Sequence, residues 1–341
     1  MIFMSRVQAG RPLPCRVPAS ALYPATAPRH SFALEVPHGH VLHVDDCGPA
    51  DGTCAVVLHG GPGSGGSPLL RRFFDPARFR VIAIDQRGAG RSRPRGATAH
   101  NRTAELLDDL RRVRAHLGIA RWLVVGGSWG ATLALAHALH EPQAVAALLL
   151  RAVFLPHAHG IAAFFQDSAG QAPAAWARFA AVAPAHERHD MLGFLARGLQ
   201  AEATDGGALR RRLALAWWQW EHTLGGGAGA ADTPGSAALA ALVDRYRVQS
   251  HYLQHGCWLD RPPLLERLAA LPRVPTLLLH ARDDRICPPD AAQAVHARIA
   301  HSRLHWVDAG GHDPAAPAMA AAMVAALDGY ARHGHFHGGA A

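Results

Sequence analysis

No apolar run in this 341-residue chain approaches the ~20 residues of a membrane-spanning helix. The longest apolar helical stretches are alanine-rich and interrupted by His or Arg. The N-terminal MIFMSRVQAGRPLPC has no apolar segment of signal-peptide length, so a cytoplasmic location is expected. Met4 would serve as a start as well as Met1. The five cysteines (Cys15, Cys47, Cys54, Cys257 and Cys287) are odd in number, and no pair has metal-ligand spacing. A reduced compartment fits that pattern, and a disulfide framework does not. The net charge is +8, yet the arginines are spread in short clusters with no aromatic-interleaved basic patch. Nucleic-acid binding is therefore not expected, nor is a membrane partner.

What is present is a globular composition, 49% hydrophobic and 18% charged. Residues 1–30 are Pro- and Arg-rich and read as an irregular arm. Two alternating runs follow, SFALEV and HVLHVDD. Continuous apolar runs then occur at 54–58, 80–84, 122–125, 145–153, 276–280 and 304–307. Helical patterns separate them. One covers 103–117, with Leu106, Leu107, Leu110, Val113 and Leu117 on one face. Strands that are apolar throughout and alternate with helices predict a mostly parallel sheet flanked by helices. Residues 156–270 break the pattern. They are rich in Ala, Leu, Arg and Trp, show no strand, and read as an inserted helical cap. The expected division is an arm (1–30), an α/β core (31–155 and 271–333), the cap (156–270) and a disordered tail (334–341). The His-rich end HGHFHGG of that tail could hold a stray metal ion, but its place after the last helix argues for a frayed end.

The stretch GGSWG at 126–130 has a strand before it and a helix after it. A serine in that turn is exposed by its small neighbours and faces the free N–H groups of the helix. Ser128 is the candidate nucleophile. A base and an acid should follow it in the chain, at the ends of later strands. ARDDRICP supplies Asp283 and Asp284. The loop after the next strand, in LHWVDAGGHDP, supplies His312, with Asp313 beside it as a solvated neighbour or helix cap. The long gap between Ser128 and the acid is what a cap insertion produces. Two backbone donors should hold an oxyanion: the N–H of Trp129, after the serine, and that of Gly61 in HGGPG. Pro62 has no N–H to offer.

HGGPGSGG, DQRGAGRS, GGSWGATLAL, LLLRAVF and ARDDRICP together resemble the motif set of the proline iminopeptidases, serine peptidases of the α/β-hydrolase fold. The resemblance runs from about residue 22 to residue 330. It implies an α/β-hydrolase fold with a helical cap and removal of N-terminal proline from short peptides, with no metal or cofactor. It selects Asp284 over Asp283, because the family writes this stretch H-G-R-x-D-x-x-C-P. It makes Glu221, in WWQWE at 217–221, the carboxylate for the substrate's free amine, with the neighbouring tryptophans as a pocket wall or, equally, as core packing. It marks Arg151 as a residue that binds the substrate carbonyl, orders the acidic groups or fixes the cap by a salt bridge, and Phe154 as lining of the proline pocket. One position departs from the family: its second amine-binding glutamate is replaced by Gln249, which keeps an acceptor and loses the charge. An aromatic hydroxyl of the family's cap is replaced by Phe165. These departures keep a second reading open, a general esterase or amidase without an amine requirement. A non-catalytic binding protein would have a broken triad, and dehalogenases or epoxide hydrolases would carry aspartate at position 128.

Overall fold

The computed structural model describes residues 22–166, 170–202, 205–227 and 234–336. The chain opens with β1 (His30–Val36), β2 (His40–Cys47), β3 (Thr53–Leu58), the short α1 (Pro68–Arg71) and β4 (Phe79–Asp85). It continues through α2 (Thr103–His116), β5 (Trp122–Gly127), α3 (Trp129–His140) and β6 (Val145–Arg151). Among the described residues, six α-helices follow without an intervening strand: α4 (Ala158–Phe165), α5 (Pro173–Ala180), α6 (Met191–Gln200), α7 (Ala208–Leu224), α8 (Ser236–Gln254) and α9 (Leu264–Arg267). The sheet then resumes with β7 (Thr276–Ala281), α10 (Pro289–Arg298), β8 (Ser302–Val307) and α11 (Pro317–His333).

The eight strands form one sheet in the order β1-β2-β4-β3-β5-β6-β7-β8. β2 runs antiparallel to both β1 and β4, and every pairing from β4 to β8 is parallel. The period of two explains why the central strands are apolar throughout. Val56, Val124, Leu148, Leu150 and Leu278 face one layer, with α2 and α3. Val57, Val125, Leu149, Leu277 and Leu279 face the other, with α11, whose Met319, Met323 and Leu327 recur one turn apart. Each such buried side chain contributes roughly 1.5–3 kcal/mol relative to exposure. The chain reverses its direction of sheet growth at β3, between β4 and β5. The carboxyl ends of the strands around such a switch point form a crevice suited to a ligand.

The β1–β2 end of the sheet is tied down by charge. Asp45 is buried and accepts from Ser31, Arg71 and Arg91. Burial raises its carboxyl, but Ser31, Arg91 and His43 outweigh burial and bring it down to about 2.

One boundary differs from the sequence expectation. Of the expected arm, residues 1–21 lie outside the described residues, and 22–29 are irregular and anchored through Tyr23. There Tyr23 donates from its N–H to the Arg72 carbonyl and from its hydroxyl to Asp328. Of the expected disordered tail, Phe336 is buried against Tyr330, because an aromatic ring there covers the end of α11; residues 337–341 lie outside the described residues. The four described cysteines are free thiols, and Cys15 lies outside the described residues. No helix among the described residues is long and apolar enough to cross a membrane.

Candidate active site

The turn between β5 and α3 is held in one shape by close backbone approach. A Cβ on Gly126 would lie 2.2 Å from the Gly130 carbonyl oxygen, and one on Gly130 would lie 2.0 Å from the Leu58 carbonyl oxygen. Neither position can hold a larger residue without moving the backbone. Ser128, between them, sits at φ 57°, ψ −124°. That conformation is strained for a residue with a side chain, and it lifts the hydroxyl out of the turn.

The loop after β3 lies against this turn. His59 is buried; its Nδ1 bonds the Gly60 carbonyl and its Nε2 accepts the Gln86 N–H. Burial holds its pKa below the ordinary value, consistent with a neutral ring that donates at one nitrogen and accepts at the other. The Gln86 side chain donates to the His59 carbonyl and accepts from the Trp129 indole N–H. Asp85 accepts the N–H groups of Gly66 and Arg91. Arg87 forms a buried two-pronged pair with Asp109, at 2.7 and 2.8 Å. DQRG thus clamps the glycine loop to the serine turn. Among the described residues, the backbone N–H groups of Gly61 and Trp129 find no intramolecular acceptor.

Asp284 follows β7 and is 3% exposed. Its Oδ1 accepts the N–H groups of Ile286 and Cys287, both at 2.9 Å, and its Oδ2 meets His312 Nδ1 at 2.8 Å. Burial pushes this carboxyl up, but His312 and the Cys287 N–H bring it below the usual range overall. Asp283 instead accepts from Gly310 and Gly311, and so shapes the loop that carries His312. Asp313 accepts the Ala315 N–H in the turn before α11. The Ser128 hydroxyl faces the Cys287 thiol at 3.8 Å, and no hydrogen bond joins it to His312 among the described residues. Burial, then Asp284, raises the Cys287 thiol far above its ordinary value. Catalytic hydrogen bonds of this kind often tighten only with substrate in place.

Arg151 ends β6 and is buried. Its Nη1 donates to the His312 carbonyl at 2.9 Å. No carboxylate among the described residues pairs with it, so it steadies the histidine loop and makes no salt bridge to the helical insertion. Burial lowers its pKa, partly offset by Asp284.

Ser128, Gly61, Arg151, Phe154, His312 and Glu221 line one cavity of about 210 Å³, roofed by the inserted helices. Glu221 projects from α7 and Gln249 from α8. Gln249 Nε2 donates to Glu221 Oε1 at 2.9 Å. Two further groups of α8 reach Oε2: Arg245 Nη2 at 2.6 Å and the Tyr246 hydroxyl at 2.9 Å.

A family model for the alpha/beta hydrolase fold matches residues 56–315. A proline iminopeptidase of Xanthomonas citri is 35% identical over 319 residues, covering 91% of this chain and 99% of its own. One from Arabidopsis thaliana is 34% identical over 315 residues, covering 89% and 80%. The chain belongs to the proline iminopeptidase family. Its fold is likewise that of a proline iminopeptidase-related protein of Thermus thermophilus, with a TM-score of 0.58 at 24% identity over 89% of this chain and 97% of the other.

Of the two roles open to the tryptophans beside Glu221, Trp217 and Trp220 take core packing and do not line the cavity. Trp217 stacks on Tyr246 and Trp220 on Phe179, both in the packed interior of the insertion. Spaced three apart on α7, they share its inward face. Phe164 and Phe165 line the cavity instead. Sequence reasoning missed Arg245 and Tyr246. The available signal was spacing: Arg245 stands four residues before Gln249, on the same helix face. It also missed Cys287 as the neighbour of the serine hydroxyl.

Proposed function

We propose that this proline iminopeptidase-family hydrolase is a serine exopeptidase that releases an N-terminal residue, preferentially proline, from short peptides. Ser128 Oγ attacks the carbonyl of the first residue. His312 takes its proton at Nε2, because Nδ1 is engaged by Asp284, which also stabilises the imidazolium. The N–H groups of Gly61 and Trp129 receive the oxyanion. His312 then protonates the leaving amine, and water releases the acyl group from Ser128. Phe154 lines the slot for the proline ring, and Arg151 positions the His312 loop. Glu221 accepts from the substrate's free amine, a charge-assisted contact worth roughly 1.5–3 kcal/mol.

The observation that carries this reading is that Glu221 lines the same cavity as Ser128 and His312. The test is hydrolysis of L-proline p-nitroanilide, beside p-nitrophenyl acetate, in wild type, Ser128→Ala and Glu221→Gln. Ser128→Ala should abolish both activities. Glu221→Gln should raise KM for the proline substrate about tenfold or more and spare the acetate. Equal effects on both substrates would remove Glu221 from amine recognition.

A second reading is a general esterase or amidase with no amine requirement. It is favoured by the neutral Gln249 beside Glu221 and by the arginine already paired with that carboxylate.

A further inference from the structure

Glu221 is the one carboxylate lining the cavity among the described residues, and it is already occupied. Arg245 holds Oε2 at 2.6 Å, Tyr246 holds the same oxygen at 2.9 Å, and Gln249 holds Oε1 at 2.9 Å. Arg245 is itself fixed: its Nε donates to Gln249 Oε1 at 3.3 Å, and its guanidinium lies over the Tyr246 ring. A carboxylate has about four acceptor sites. Three are taken, so one is left for a substrate.

The charges facing that site come from every surrounding element. α7 gives Glu221, α8 gives Arg245 and Tyr246, β6 gives Arg151, and the loops after β7 and β8 give Cys287 and His312, with Asp284 behind. The two arginines match the two carboxylates. The pocket therefore carries no excess negative charge to attract a cation. An ammonium at Glu221 would also bring a second positive charge within about 5 Å of the Arg245 guanidinium, which disfavours it.

We propose that Arg245 is a specificity-determining residue: it sits on Glu221 as a resident cation, so the site takes the substrate's first nitrogen as a neutral amine in preference to an ammonium. This rests on the reading that the first residue's nitrogen meets Glu221. It also supplies a reason for proline. A neutral secondary amine has a single N–H, which matches the single free acceptor site, whereas a neutral primary amine brings a second N–H with no acceptor on Glu221.

The deciding experiment is the pH dependence of KM for L-proline p-nitroanilide on the wild-type protein. It spans about pH 6.5 to about 9.5, across the ionisation of a peptide amine. p-Nitrophenyl acetate, run in parallel, reports the pH dependence of hydrolysis that does not involve the substrate's amine. KM should fall about tenfold as the ammonium is lost, beyond any change seen with the acetate. Arg245→Met should lower KM at pH 7 about tenfold and abolish or reverse the trend. Its circular dichroism and thermal unfolding gauge the fold. A wild-type KM that rises as the ammonium disappears, with the free-amine substrate still preferred, overturns the role of Arg245 and leaves the exopeptidase reading standing. So does an Arg245→Met protein that is folded with KM unchanged or raised. Equal turnover of N-acetylproline p-nitroanilide overturns both. Should Arg245→Met fail to fold, the wild-type profile alone decides.

Discussion

Replacing Asp284 with asparagine changes one atom and leaves the packing in place. The amide has to choose an orientation. The N–H groups of Ile286 and Cys287 both point at Oδ1 from 2.9 Å, so the amide oxygen stays there and its NH2 turns to His312 Nδ1. A donor now faces Nδ1, where a carboxylate stood at 2.8 Å. Nδ1 becomes the acceptor, the ring proton moves to Nε2, and the nitrogen that should take the serine proton is blocked. Loss of this tautomer in a serine-histidine-aspartate system costs about 10⁴ in kcat, or about 5.5 kcal/mol of barrier. Asp283→Asn is the internal control. Asp283 is exposed and accepts from the N–H groups of Gly310 and Gly311 of the loop, so its loss should stay within about tenfold. The assay is steady-state kcat on L-proline p-nitroanilide, with thermal unfolding to show that both variants stay folded. An Asp284→Asn protein within tenfold of wild type, or a larger loss in Asp283→Asn, would refute the tautomer argument.

Other perturbations test the scaffold. Arg87→Met strands the buried Asp109 carboxylate and should cost about 3–5 kcal/mol of stability, measured by urea unfolding. Gly130→Ala puts a methyl group 2.0 Å from the Leu58 carbonyl oxygen and should lower both stability and kcat, whereas the same change at the open Gly118 should not affect kcat. Asp45 has a folded-state pKa of about 2, below its unfolded value of about 4. Its stabilising contribution is therefore complete above about pH 4 and is lost as pH falls towards 2. Asp45→Asn should flatten that acid limb in unfolding curves taken from pH 5 to pH 2, and an unchanged slope would show that Asp45 is not paired in this way.

The core of this protein was legible because its central strands, β5, β6 and β7, are buried on both faces. Runs such as Val145–Arg151 have no polar alternation to misread, and the runs at β5 and β6 lead directly into a helix and into the insertion. Strand order then brings the ends of β3, β5, β7 and β8 together, so residues far apart in sequence (Ser128, Asp284 and His312) meet at one crevice. Asp283 and Asp284 could not be separated by pattern, since both follow the same strand; their hydrogen bonds differ only through the folded loop. The insertion was legible as helical and no further. Whether a tryptophan of α7 faces the cavity or the interior depends on how α7 lies against α5 and α8, and WWQWE alone does not fix that. The same packing brings Arg245 of one helix to Glu221 of another, a pairing between residues with no local sequence relation. The glutamine at 249 was visible as a missing charge; the arginine on the remaining charge was not.

The most direct test of the whole account is the ratio of kcat/KM for L-proline p-nitroanilide to that for its N-acetyl derivative, measured on the wild-type protein at its pH optimum. If Glu221 reads a free nitrogen beside Ser128, the free-amine substrate should win by about a hundredfold or more, since blocking the nitrogen removes its N–H and adds bulk at a carboxylate with a single free acceptor site. A ratio near one would contradict the account and leave a serine hydrolase that does not read the amine.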